Sequence, residues 1–379
     1  MDVGVLAPGD FVPDVANHEV AAAAGKTLAE VAASGDENDA MTVMARGAAA
    51  WTRRLHDEGR IDGVLALGGT MGTDLALDVV STLPLGVPKL IASTVAFSPL
   101  IPPERIPPDL MMILWAGGLY GMNAFCRSSL AQAAGAVVGA CRQAAPPSAG
   151  RPVVGMTSLG KSCLSYMERL LPALEGRGYD VAVFHTTGMG GRAFEALAAA
   201  GRFAAVMDFS LQELANHLGG SLVSAGSDRL EAAGKGGVPQ IVAPGAIDML
   251  DFPTWSPLRG HDQASYHAHN RLLASVIVGA DERRRIARSI ADKLARAKGP
   301  TAYILPTGGI QGWDRPGAPL HDAAALAAFV EESRAAIRPP AELVEIAAHI
   351  NDREFSDMAL TVFDRWVAEG RIPAGEPRP

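Results

Sequence analysis

Several things are scarce in this chain, and each scarcity removes a class of protein. No run of eighteen apolar residues occurs, so no membrane-spanning helix is expected. The first residues carry Asp2, Asp10 and Asp14 where a basic region and an apolar stretch would mark a secretory signal; the expected location is cytoplasmic. Cysteine is limited to Cys126, Cys141 and Cys163, with neither a CxxC spacing nor a disulfide framework. Each is placed on a helix as a small apolar residue. Lys and Arg form no cluster with interleaved aromatics and the net charge is -8, which argues against nucleic acid as a partner. Charged residues make up 20% of the chain against 48% hydrophobic, the balance of a protein with ample core. At 379 residues that core is divided between two domains, residues 1–146 and 151–379, with the AAPPSAGRP stretch at 144–152 as the boundary.

What is abundant is one device. A short apolar strand runs into a glycine-rich turn that opens a helix, at Gly68–Thr73, Gly155–Ser162, Gly188–Gly191 and Gly308–Gly312. Glycine lets backbone approach a ligand, and a helix start offers unpaired N–H groups to an anion. In the first domain the periodicity predicts a helix over 39–58, with Met41, Met44, Ala48, Trp51 and Leu55 on a core stripe. It also predicts strands at 61–67, 89–92 and 110–114, and helices at 73–83 and 122–142. In the second, strands are expected at 153–156, 180–184, 204–208, 239–243, 302–305 and 343–346. Helices are expected at 163–175, 193–200, 282–297 and 354–368. This alternation predicts an α/β fold of two Rossmann-like subdomains, each an open, mainly parallel sheet flanked by helices. Ligands in such folds bind beyond the carboxyl ends of the strands, which is where the glycine turns lie.

Gly155-Met-Thr-Ser-Leu-Gly-Lys161-Ser162 matches the P-loop pattern literally, after a strand and before a helix. In that reading Lys161 contacts the β and γ phosphates, Ser162 holds magnesium, and Asp208, at a strand end, supplies a second metal contact. The competing reading is an ordinary strand-to-helix turn.

The residues at 67–73 and beyond are recognisable. Leu67-Gly-Gly-Thr-Met-Gly-Thr73, Leu83-Pro-Leu-Gly-Val-Pro-Lys-Leu90, Ser93-Thr94 and Met111-Met112 resemble a family comprising the ATP-binding N-terminal domain of the tomato mosaic virus resistance protein and its bacterial relatives of unassigned activity. So do Val183-Phe-His-Thr-Thr-Gly-Met-Gly-Gly-Arg192, Ser224-Ala-Gly226, Asp228-Arg229-Leu230, Pro244-Gly-Ala-Ile-Asp-Met249, His267-Ala-His-Asn270, Asp314-Arg-Pro-Gly317 and His349-Ile-Asn-Asp352, in the family's order. The resemblance implies a two-subdomain α/β protein that binds ATP, with Mg2+ as companion, and associates as a homodimer or higher homo-oligomer. It also implies a further strand and a Thr-Leu-Asp-Thr-Lys turn ahead of Asp2. Without them a parallel sheet exposes an edge or leaves a gap; either the start is placed late, or ATP binding is weakened. Relatives usually carry other residues where Lys161 and Ser162 stand, which counts against the P-loop reading.

The candidate nucleotide site is Gly68, Gly69, Thr70, Gly72 and Thr73, with hydroxyls from Ser93 and Thr94 and an optional cation from Lys161. The alternative for these glycines is a tight turn with close helix packing. Gly188, Gly190, Gly191 and Arg192 form a second candidate anion site. For proton transfer the candidates are His185, at a strand end, and Asp248, His267 and His269. Asp248 is also the candidate magnesium ligand. His267 and His269 alternate and share one side of an extended segment; that spacing permits a metal, but a convincing site needs a third protein ligand. His349, Asn351 and Asp352 are read as caps of the final helix, whereas Asp314 either orients Arg315 or a histidine or caps its own turn. Three functions are open: an ATP-binding module without turnover, an ATP-dependent enzyme acting on a small carboxylate metabolite, and a P-loop ATPase using Gly155–Ser162.

Overall fold

Alternating apolar runs and helices build two separate parallel sheets in the computed structural model, which describes residues 1–6, 11–115, 117, 121–145, 150–256, 260 and 266–376. The chain divides into two units, Met1–Ala149 and Gly150–Pro379.

The first unit opens with three helices, α1 (Asn17–Ala23), α2 (Leu28–Ala32) and α3 (Glu37–Asp57). Asp36 caps α3 by accepting from the Asn38 and Asp39 amides. On the expected stripe Met44 and Ala48 are buried, and Trp51 and Leu55 pack against them. Then follow β1 (Val64–Gly68), α4 (Thr70–Ser81), β2 (Lys89–Ser93), β3 (Leu110–Leu114) and α5 (Ala124–Gln143). The three strands are parallel in the order β1-β2-β3, so β2 is central and wholly buried. Burying Lys89 there requires compensation: its ammonium donates to Asp109 Oδ2 at 2.6 Å and to the Pro84 and Val87 carbonyls at 2.8 and 3.1 Å. β1 is an edge strand of this sheet, and Val64–Leu67 lines a cavity of about 710 Å3 with Val3, Val15, Leu55 and Leu75.

The second unit carries β4 (Val153–Ser158), α6 (Ser165–Gly176), β5 (Asp180–His185), α7 (Met189–Ala199), β6 (Ala205–Ser210), α8 (Gln212–Leu218), α9 (Ala232–Gly236) and β7 (Gln240–Gly245). It continues with β8 (Met249–Pro253), β9 (Tyr266–Ala268), β10 (Leu273–Ile277), α10 (Ala280–Leu294), β11 (Thr301–Pro306), α11 (Ala323–Ala336), β12 (Ala341–Ile346) and α12 (Arg353–Ala368). Six of these strands form one parallel sheet in the order β12-β11-β7-β6-β4-β5. The chain leaves β4 for β5 on one side and then returns to β6 on the other, so the strand order reverses at β4. Tyr166, Phe209 and Phe355 pack near that point, and the Tyr166 hydroxyl donates to the Thr157 carbonyl at 2.7 Å.

Several expected boundaries move. β4 and β6 run two residues past their expected ends, which draws Asp208 inside a strand. α4 and α7 begin earlier than expected, at Thr70 and Met189, so Gly69 and Gly188 become their N-caps. Cys126 and Cys141 lie on α5, but Cys163 lies before α6 in a turn closed by a bridge to Leu159, so its expected helical placement does not hold. The small antiparallel sheet β8-β10-β9 has no counterpart in the sequence reading apart from the extended segment at His267. Among the described residues no helix is long and apolar enough to cross a membrane.

Candidate functional site

The P-loop match fails on geometry. Gly155 sits inside β4, where a Cβ would come within 2.8 Å of the Phe203 ring, so it is a packing glycine and no part of a phosphate cradle. The turn that follows is Leu159–Leu164, and α6 begins only at Ser165, beyond Lys161 and Ser162. A P-loop places its lysine and hydroxyl on the first turn of the helix. Here Ser162 is buried, with its amide bonded to the Leu159 carbonyl and its own carbonyl accepting from Asn351 Nδ2 at 2.8 Å. Asp208, the supposed second metal contact, is committed to Arg229, whose Nη2 donates to Oδ1 at 2.6 Å.

The second glycine turn has its anion already. Gly188, with φ +97°, and Gly191 donate their amides to Glu213 Oε1 at 2.6 and 3.0 Å, at the start of α7. A carboxylate at a helix N-terminus is what the dipole favours, and this one belongs to the chain. Burial pushes the Glu213 carboxyl up to about 7 against the pull of Arg229 and the two amides. Arg192, expected to hold a ligand's carboxylate or phosphate, grips both Asp228 oxygens at 2.7 and 2.9 Å. Gly188, Gly190, Gly191 and Arg192 therefore form an internal clasp. Gly190 supplies close approach, since a Cβ there would lie 1.8 Å from the His185 carbonyl oxygen. Gly190→Ala is expected to abolish the cooperative thermal transition of the unit, checked by calorimetry of the full chain.

Asp248 is fully buried beyond β7. It faces Arg283 Nη2 at 3.4 Å and Gln311 Nε2 at 3.5 Å, and burial raises its carboxyl to about 6. The cation that faces Asp248 is the Arg283 guanidinium, and among the described residues no group of three or more His, Cys, Asp or Glu could hold a metal ion. His349 has a structural place, though not as a cap of α12, whose N-cap Asp352 makes no side-chain bond to the helix: Nε2 lies 2.9 Å from Asp314 Oδ1 and Nδ1 accepts from the Asn351 amide.

Lys161, His185, His267 and His269 do come together. They line one cavity of about 360 Å3, beyond the carboxyl ends of β4 and β5, with Trp313 and Asp251. The antiparallel register sets Ser275 of β10 opposite Asp251 on one side and His267 on the other. The two histidine rings meet edge to face at 4.8 Å, and each packs on Trp313, at 4.8 and 5.7 Å. Ser275 Oγ donates to Asp251 Oδ1 and lies 3.0 Å from His269 Nε2. Burial raises the Asp251 carboxyl to about 6, whereas burial and the neighbouring His267 hold His269 below its ordinary value. Asp251, Ser275 and Trp313 carried no sequence signal. The sequence pointed here through Lys161, through His185 and through the period-two spacing of His267 and His269.

The first unit's turn differs from these. Gly69 is the N-cap of the twelve-residue helix α4, and among the described residues no side-chain cap is seen there. Gly68 allows the helix to start against the strand end, because a Cβ on it would lie 2.6 Å from Gly72 Cα. The hydroxyls of Thr73 and Ser93 are buried and hydrogen-bonded to each other at 2.6 Å, while Gly69 and Thr70 are exposed and Thr94 is half-buried beside them.

The sequence matches two domain models of one uncharacterised protein family, UPF0261, the N-terminal domain at residues 1–146 and the C-terminal domain at 151–367. A UPF0261 protein of Brucella melitensis is 56% identical over 377 residues, 99% of this chain and 90% of that protein. One from Clostridium tetani is 33% identical, covering 94% and 88%. The ToMV resistance protein Tm-1 of Solanum lycopersicum is 30% identical over 336 residues, 86% of this chain but 44% of the tomato protein. With both halves matched in order, the chain belongs to the uncharacterised protein family UPF0261.

Proposed function

We propose that this protein binds ATP with Mg2+, the phosphates resting on the Gly68–Thr73 turn at the start of α4. One contrast carries the reading. The turn at Gly188–Gly191 spends its amides on Glu213, whereas the turn at Gly69 opens a helix with no side-chain cap among the described residues, beside exposed Thr70. Uncapped amides at the positive end of a helix suit a phosphate, and flanking glycines let it come close. Gly69, Thr70, Gly72 and Thr94 are the contacts in this reading; Thr73 and Ser93 hold the turn from behind through their mutual hydrogen bond. The family resemblance supports the same ligand.

Gly69→Asp separates this reading from plain turn packing, because it moves stability and binding in opposite directions. A Cβ at Gly69 has room, its nearest neighbour being Thr94 Oγ1 at 3.6 Å. An aspartate N-cap would stabilise α4 by a few tenths of a kcal/mol while placing a negative charge where the phosphates rest. The native chain should gain several degrees with Mg·ATP, since a ligand at a hundredfold excess over Kd adds about 2.7 kcal/mol. Gly69→Asp should melt slightly higher than the native chain and lose that shift, and Lys161→Ala should keep it. Retention of the shift by Gly69→Asp would exclude the turn as the phosphate site.

A further inference from the structure

We propose that the cavity lined by Lys161, His185, His269 and Trp313 is an acid–base site for a small carboxylate, in which His269, held by Ser275 and Asp251, is the base. The inference rests on the second unit alone and is independent of the nucleotide reading.

Hydrogen-bond accounting fixes the tautomers. Ser275 has one hydroxyl proton and gives it to Asp251 Oδ1, so towards His269 its oxygen can only accept. His269 therefore carries its proton on Nε2 and keeps a lone pair on Nδ1. His185 has the same tautomer but is tied at its other nitrogen: Nδ1 accepts from the Gly160 amide at 3.4 Å, leaving the Nε2–H as a donor. One cavity thus holds an imidazole base and an imidazole donor. Lys161, in the turn after β4, is the ammonium among its described lining residues and anchors the carboxylate. At about 360 Å3 the space is at the small end of ligand sites, roughly 300–1,000 Å3, which fits a small acid with Trp313 as its apolar wall.

In the step itself, an O–H or acidic C–H bond of the substrate breaks and its electron pair stays on the substrate. The proton forms a new N–H bond at His269 Nδ1. The resulting imidazolium faces the Asp251 carboxylate through Ser275, with Asp251 Oδ1 4.0 Å from Nε2. The charge left on the substrate lies towards Lys161 and the His185 Nε2–H. Returning the proton closes the cycle, so no oxidant or reductant is needed. The groups around His269 are Asp251, Ser275, His267 and Trp313, with Lys161 and His185 lining the same cavity. Its side chain is 24% exposed, and burial together with His267 keeps it unprotonated at neutral pH, as a base must be. Ser275 and Asp251 are positioning residues; they act on substrate only through the ring.

The test is long-range proton–nitrogen NMR of the full chain with nitrogen-labelled histidine, titrated with malonate. His269 is expected in the Nε2–H form, its ring signals moving saturably with malonate. Lys161→Ala should weaken malonate at least about tenfold. Asp251→Asn, which keeps an acceptor for Ser275, should retain a cooperative melt yet lower the His269 midpoint, because a carboxylate no longer stabilises the imidazolium. An Nδ1–H tautomer at His269, ring signals indifferent to malonate, or a malonate affinity untouched by Lys161→Ala would overturn the site. An unmoved His269 midpoint in Asp251→Asn would reduce Asp251 to packing and overturn its part in the proposal.

Discussion

Arg229→Met is expected to cost the chain at least about 3–5 kcal/mol, the usual loss when one partner of a buried ion pair is removed, and to take the second unit to the edge of unfolding. Arg229 is fully buried and serves three carboxylates that are nearly so. It donates to both oxygens of Asp208, to Glu195 Oε1 at 3.0 Å and to Glu213 Oε2 at 3.1 Å. The three acids come from β6, α7 and α8, so one guanidinium ties the sheet to two helices. Glu195 also accepts the amides of Leu230 and Ala232, and Glu213 those of Gly188 and Gly191. Methionine fills much of the volume but leaves three acids facing one another without a cation, which each must relieve by taking up a proton. Urea unfolding followed by tryptophan fluorescence reads the loss, and the second unit contributes Trp255, Trp313 and Trp366 to that signal. Arg229→Lys should fall between, since an ammonium keeps the charge without the planar fork that reaches three acids at once. A loss below about 1 kcal/mol in Arg229→Met would mean that the acids are already neutral and that the cluster is held by packing.

This cluster also shows where sequence reasoning reaches its limit. The strand-to-helix turns were legible because each is local: an apolar run, then glycine, then helical spacing. What occupies a turn is not local. Glu213 reaches Gly188 across 25 residues and Arg229 reaches Asp208 across 21, so nothing in the GMGG run tells an open anion site from one closed by the chain itself. At Gly155–Ser162 the motif's spelling was right and its register wrong; Gly155 lies within the strand, which runs on to Ser158, and Lys161 falls ahead of the helix. His267 and His269 were paired correctly because alternation survives in an extended segment. Their partners were hidden because β8 follows β7 after only three residues and carries no separate strand signal, and β9 is three residues long. The antiparallel register that sets Ser275 opposite Asp251 exists only in the folded sheet.

Asp251→Asn is expected to change the pH dependence of stability by about 3 kcal/mol across the acid range. Burial raises the Asp251 carboxyl from 3.8 to about 6, only partly offset by the Ser275 hydrogen bond. A carboxyl raised in the folded chain binds its proton more tightly there than when unfolded. Its contribution is therefore full below pH 4, falls as pH rises to 6, and is flat above. At about 1.36 kcal/mol per unit, the native chain loses roughly 3 kcal/mol through this group between pH 4 and 7. An asparagine keeps the shape and an acceptor for Ser275 but has nothing to ionise. Relative to the native chain the variant should gain stability steadily over that window, whatever its starting offset at pH 4. The difference isolates the group from acids such as Asp352 and Glu345, which arginine partners hold below their ordinary values and which act with the opposite sign. Urea midpoints of both proteins at half-unit steps supply the curve. Parallel profiles would show that Asp251 ionises in the folded chain as it does in the unfolded one. A rising difference would show instead that the carboxylate behind His269 is held ionised above pH 6 at a cost to the fold. A strained charge of that kind is available to stabilise an imidazolium when the ring takes a proton.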